Sequence, residues 1–175
     1  QSSTACGLWV LISLLSPATV RHQLLASKKK LIRSCPTPRL AEPVFTLDPR
    51  LAADSFEICT LDQVQVRLMN DTRYWWLVLV PEIDGAVEWH HLDDHARRHL
   101  FDVATHVACV LEILAQADKM NIAALGNMVR QLHVHVIARH ESDAAWPGPV
   151  WGRGDMVSLD APTRAARAQA LHEHL

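Results

Sequence analysis

An α+β fold is the architecture this sequence predicts: an antiparallel sheet of about five strands with one long helix packed on it. Three observations point there. Residues 56–80 hold three short segments in which apolar residues alternate with polar ones or run together, separated by turn-type residues. One stretch, 95–117, repeats apolar residues at spacings of three and four. Two more strand-like segments follow it, so strands stand on both sides of a single helix, with connections suited to antiparallel pairing.

Each element has its own signal. Residues 56–60 (FEICT) and Val64–Met69 (VQVRLM) alternate as half-buried strands do. Asn70-Asp71-Thr72 is a polar break, after which residues 74–80 (YWWLVLV) form a continuous apolar strand stopped by Pro81. Asp93 or Asp94 offers an N-cap to the helix, whose apolar stripe is Leu100, Val103, Ala104, Val107, Val110, Leu111 and Leu114. Residues 122–125 and 132–138 supply the last two strands, with a loop around Gly126 and Asn127 between them. Pro147 and Pro149 in AWPGPVWG mark an extended segment, and residues 164–175 read as a short, weakly amphipathic helix. The chain therefore divides into an N-terminal extension (1–43), a main domain (44–152) and a C-terminal tail (153–175).

Composition narrows the function classes. The 175 residues are 49% apolar and 21% charged, which excludes collagen-like, disulfide-scaffold and wholly disordered chains. The net charge of −2 conceals an asymmetry: residues 1–43 carry six basic residues and one acidic, whereas residues 44–175 carry eleven basic and eighteen acidic. An acidic main domain has no basic stripe with which to neutralise a phosphate backbone, so no nucleic-acid partner is expected. The apolar run at residues 8–15 is too short for the ~20 residues a bilayer requires, and no membrane association is expected. The extension is rich in Ser and basic residues, faintly like an organelle transit peptide, and reads as loosely ordered. Cys6, Cys35, Cys59 and Cys109 have no zinc-ligand spacing and read as small buried apolar groups in a reducing, cytoplasmic setting.

Histidine is over-represented, at 11 positions. The informative ones lie in Gln131-Leu132-His133-Val134-His135-Val136-Ile137. On a strand, Leu132, Val134 and Val136 enter the core while Gln131, His133 and His135 share the other face, the two imidazoles ~6.6 Å apart along the chain. With Arg139 after them and a Gly-Asn loop before, they form a plausible anion site. Three meanings are open: a metal pair that lacks a third ligand of recognised spacing, two histidines that merely occupy a polar strand face, and a nucleophilic imidazole that attacks phosphorus. His90, His91, His95, His99 and His106 read as a solvated helix surface, and His172 and His174 as a mobile terminus. Trp146 and Trp151 suit either a cover over a nucleoside or packing on a second copy.

QLHVHVIAR resembles the motif of the histidine triad (HIT) superfamily, and the resemblance extends from about Phe45 to Gly152. It implies an enzyme, a nucleotidyl hydrolase or transferase on a purine nucleotide, with no cofactor or metal, homodimeric through its long helix and a neighbouring strand. It assigns His133 as nucleophile on the α-phosphorus and His135 to the phosphate and leaving group. Gln131 stands where the first triad histidine is expected and joins them as a catalytic position. Asn70 and Asn121 are implied as nucleotide-binding residues, and Gly126 and Asn127 as the phosphate-holding loop. An open cleft, lined by both histidines with Asn70 and Asn127 on its walls, is the expected geometry. Three departures from the family pattern stand out: Gln131 itself, Trp75-Trp76-Leu77 where Pro-Gly-His is common, and Arg130 where a small or apolar residue is usual. They keep in view a catalytically weak nucleotide-binding module of the same fold.

Overall fold

The computed structural model describes residues 45–175, so the readings made for residues 1–43, including Cys6 and Cys35, lie outside the described residues. The elements are α1 (Pro49–Asp54), β1 (Ser55–Leu61), β2 (Val64–Met69), β3 (Trp75–Pro81), a 3-10 turn (Trp89–His91), α2 (Asp94–Ala115), β4 (Lys119–Ala123), β5 (Val134–Arg139) and α3 (Ala161–His174). The five strands form one antiparallel sheet, as the sequence predicts, and their order is β1-β2-β3-β5-β4.

α2 covers one face of the sheet. Its N-cap is Asp93, whose carboxylate accepts from the Ala96 N–H, and its buried stripe includes Leu100, Val103, Ala104, Val107, Val110 and Leu111. Each Leu or Val of the stripe stabilises the fold by about 1.5–3 kcal/mol when fully buried, so the stripe outweighs helix propensity in fixing this element. The helix ends two residues before the predicted boundary because Gln116 adopts the left-handed conformation. His106 is buried, not solvated as the sequence reading expects, because it falls beside Val107 on the inner stripe. His99 is half-buried, and its Nε2 lies 2.8 Å from the Asp62 carbonyl in the β1–β2 turn. Cys109 is exposed and Cys59 half-buried, contrary to the expected burial of both.

The other face carries the cluster Leu51, Tyr74, Trp76, Val78, Val80, Ile137, Ala145 and Val150, with Phe45, Leu47 and Trp151 packed on it. Leu51 belongs to α1, an element the sequence reading passed over although Asp48-Pro49 is an N-cap followed by Pro in the first turn; Asp48 Oδ1 accepts from the Arg50 N–H at 2.8 Å. β4 begins three residues before the predicted strand, which places Asn121 mid-strand opposite Ile137. β5 begins at Val134, not at 132, so His133 stands just ahead of the strand.

The AWPGPVWG segment is a series of turns and not an extended run. Asp143 causes this: its carboxylate accepts from Arg139 and from the His140 and Ala145 N–H groups, curling the chain back on itself. α3 starts at Ala161, three residues before the predicted helix, because Asp160 caps it through the Thr163 N–H. It is anchored by fully buried Leu171, by Arg167 donating to the Thr72 and Tyr74 carbonyls, and by Arg164 and Arg167 over the rings of Phe56 and Trp75.

Candidate active site

Strand register sets His135 on the face away from α2, and the His133 ring stands beside it. His135 lies opposite Val78 and Ile137 opposite Trp76, so His135 shares a face with Trp76 by the two-residue period. The His133 and His135 rings stand edge to face, centroids 4.9 Å apart and planes at 82°. That is closer than the ~6.6 Å backbone repeat, since the rings lean together.

The two rings carry opposite tautomers. His133 Nδ1 is 2.7 Å from the Gln131 carbonyl. A carbonyl only accepts, so Nδ1 bears the hydrogen and Nε2 keeps a lone pair. His135 Nδ1 is 3.0 Å from Trp76 Nε1. An indole N–H only donates, so this Nδ1 is the acceptor and His135 Nε2 bears the hydrogen. Nε2 is buried and has no hydrogen-bond partner among the described residues. Trp76 and Trp151 flank the ring at 5.4 and 5.1 Å between centroids. Burial pushes the His135 pKa down to about 4, and adjacent His133 acts in the same direction. The Leu125 backbone favours the protonated form but lies outside hydrogen-bond geometry with Nε2. His135 is therefore a neutral N–H donor at neutral pH.

His133, though only 5% exposed, lines a cleft of about 230 Å³ with Glu88, Gly126, Asn127, Arg130 and Gln131. That is below the ~300 Å³ at which pockets begin to enclose a drug-sized ligand, and suits a phosphate-sized group. A larger, shallower groove of about 600 Å³ runs between Trp89, Arg97, Arg98, Phe101 and Asp102, and contains neither histidine of the pair. Gly126 is required by close approach: a Cβ there would stand 2.9 Å from the Val129 carbonyl oxygen and 3.6 Å from His133 Cε1. Asn127 is exposed beside it on the same loop.

Other predicted positions are placed differently. The Gln131 amide is engaged at both ends, Oε1 accepting from the Asp48 N–H at 2.8 Å and Nε2 donating to the Thr46 carbonyl at 2.9 Å. It is a clamp on residues 46–48, and its contribution to the site is its backbone carbonyl. Asn121 Oδ1 accepts from Arg139, and Asn70 is bonded to the Leu159 N–H and to Ser158 Oγ. Neither asparagine lines the cleft, because each holds a neighbouring segment of the fold. His135 lies beneath two indoles and not on an open wall. Arg139 is 2% exposed and donates to Asp143, Asn121 and the Gly148 carbonyl, so it is no anion receptor. Trp146 packs over Arg139, whereas Trp151 covers His135.

Sequence reasoning missed Glu88 as a cleft residue and noted Arg130 only as a departure. No pattern marks Glu88, but Arg130 is found by proximity to the loop. Trp76 lies two residues before Val78 on β3, within a continuous apolar run whose two faces the sequence does not separate. Among the described residues no group of three His, Cys, Asp or Glu is placed to hold a metal ion. No helix among them is long and apolar enough to cross a membrane.

The α+β domain thus places His133 at the start of β5 in a cleft walled by a glycine-containing loop, with the His135 ring buried beside it. The HIT domain profile matches residues 50–142, and the chain belongs to the histidine triad family. It is similar to a histidine triad protein of Sinorhizobium meliloti 1021, with 46% identity over 75% of this chain and 97% of that one, TM-score 0.73. A histidine triad protein of Bradyrhizobium japonicum shares 41% identity over 75% and 98% of the two chains, TM-score 0.74. The diadenosine triphosphate hydrolase of Plasmodium falciparum shares the fold at 12% identity, covering 88% of this chain and 93% of that one, TM-score 0.51. No functionally curated protein matches the chain significantly.

Proposed function

We propose that this protein is a nucleotidyl hydrolase or transferase. It acts on the α-phosphate of dinucleoside polyphosphates or nucleoside phosphoramidates, with a purine nucleotide as substrate, through a phosphohistidine-type intermediate. The observation that carries the reading is the 2.7 Å contact between His133 Nδ1 and the Gln131 carbonyl, which puts the hydrogen of the neutral ring on Nδ1 and the nucleophilic lone pair on Nε2. His133 Nε2 attacks the α-phosphorus and the bond to the leaving group breaks. Water or another acceptor then takes the phosphoryl centre, and the electron pair of the N–P bond returns to Nε2. His135 Nε2–H, Asn127 and the backbone at Gly126 supply donors to the phosphoryl oxygens, and such fixed donors are the main source of acceleration in phosphoryl transfer. The reaction so drawn needs no metal.

The homodimer is part of the same proposal. It is supported by β4 as an edge strand with Ile122 49% exposed, and by Phe101 and Ile113 of α2 at 64% and 45%. A second reading, nucleotide binding without turnover, is favoured by the engagement of the Gln131 amide with backbone and by the indoles over His135.

Steady-state release of AMP from diadenosine tetraphosphate separates the two readings. Turnover by the wild type, lost in His133→Asn while nucleotide affinity persists, supports catalysis. Binding without turnover in the wild type supports the second reading.

A further inference from the structure

The hydrogen bond that fixes His135 also limits which bond the site can cleave. We infer that Trp76 and Gln131 together make this a site selective for phosphoanhydrides over phosphoramidates, an inference that rests on the nucleotidyl-transfer reading above.

When His133 Nε2 attacks a phosphoanhydride, the leaving oxygen departs as a phosphate anion, stable without a proton. The bond to the bridging oxygen breaks, its electron pair leaves with that oxygen, and the imidazole becomes an N-phosphoryl cation whose Nδ1–H still meets the Gln131 carbonyl. In a phosphoramidate the leaving atom is nitrogen, and an amine departs only if a proton reaches it. His135 Nε2–H could hydrogen-bond to that nitrogen but could not give up its hydrogen without becoming an anionic imidazolate. An acidic imidazolium would require a hydrogen on Nδ1, where the Trp76 N–H already points from 3.0 Å. Two N–H groups cannot face each other at that distance, and the indole has no lone pair with which to turn acceptor. The ring is 5% exposed between Trp76 and Trp151, so charge there lacks solvent as well.

The remaining groups, Glu88 apart, do not restore the proton. Gln131, at the first triad position, cannot titrate, and its amide is bonded at both ends to the backbone of residues 46–48. His133 Nδ1–H is directed into the Gln131 carbonyl. Of the other lining residues, Arg130 is a permanent cation with no salt bridge among the described residues, suited to an anionic leaving phosphate. Glu88 is the one carboxyl group on the wall.

The test compares two adenosine substrates on the full chain at neutral pH, diadenosine tetraphosphate and adenosine 5′-phosphoramidate, both followed by AMP release. The inference expects kcat/KM for the anhydride to exceed that for the phosphoramidate by at least roughly a hundredfold, the low end of what proton delivery contributes. Trp76→Phe keeps an aromatic ring and removes the indole N–H, freeing Nδ1. It should raise phosphoramidate turnover relative to anhydride by about tenfold, with a new acidic limb in the pH profile. Nitrogen-15 NMR on the wild type should show His135 as the Nε2–H tautomer throughout the neutral range, a readout independent of turnover.

Equal or faster phosphoramidate turnover in the wild type overturns the inference alone. So does Glu88-dependent phosphoramidate turnover, lost in Glu88→Gln, or a His135 ring protonated at Nδ1 near neutral pH. Failure to consume either substrate overturns the nucleotidyl-transfer reading and this inference with it.

Discussion

The two ends of β5 contrast in how their polar groups are satisfied. At the far end Arg139 is as buried as any leucine of the core, and its guanidinium meets Asp143, Asn121 and the Gly148 carbonyl. Asp143 is held below the usual carboxylate range by the hydrogen bonds of Arg139, against a burial that opposes it. At the near end His133 keeps a lone pair in a cleft, and His135 keeps a buried N–H with no partner among the described residues. Both ends are charged-looking runs of polar residues within a few positions of each other. Hydrogen-bond satisfaction distinguishes them: the Arg139 guanidinium is paired within the protein, and His135 Nε2 is paired with none of the described residues.

Mutations at the two ends fall on different observables. The largest effect on stability belongs to Arg139→Leu, which strands a buried carboxylate and should cost about 3–5 kcal/mol in urea unfolding. The per-molecule activity of whatever folds should change little. Acidification comes next. The His135 pKa is lower in the folded chain than in the unfolded one, so between pH 6.5 and about 4 the unfolded state binds the extra proton and stability falls as pH falls. The loss is of order 3 kcal/mol, and His135→Gln should flatten that part of the stability–pH curve. Gly126→Ala should lower kcat/KM by roughly ten- to a hundredfold with a smaller change in melting temperature, since its Cβ would press the Val129 carbonyl and the His133 ring. The smallest change expected is from Gln131→Ala. It frees residues 46–48 and should cost about 1–2 kcal/mol of stability without adding or removing a limb of the pH–rate profile. A large activity loss in Arg139→Leu, or a new titration in Gln131→Ala, would erase the distinction between the two ends.

The sheet, the long helix and the nearness of the His133 and His135 rings were legible in the sequence because alternation and helical spacing report burial directly. The placement of Asn70, Asn121 and Arg139 was not. An asparagine or arginine beside a strand reads the same whether it awaits a ligand or holds Leu159, Arg139 or Asp143, and those partners come from 89, 18 and 4 positions away in the chain. Trp76 shows the same limit from the other side. Its place on β3 follows from the apolar run, but that its N–H selects the tautomer of His135, 59 positions later, depends on register between β3 and β5.

The central claim is that His133 Nε2 bonds to phosphorus. The most direct measurement is acid-free rapid quenching of the wild type during turnover of diadenosine tetraphosphate, followed by peptide mass spectrometry. An AMP adduct on the peptide containing His133, absent from His133→Asn, is the predicted result. AMP release at an unchanged rate in His133→Asn, with no adduct on the wild type, would contradict it.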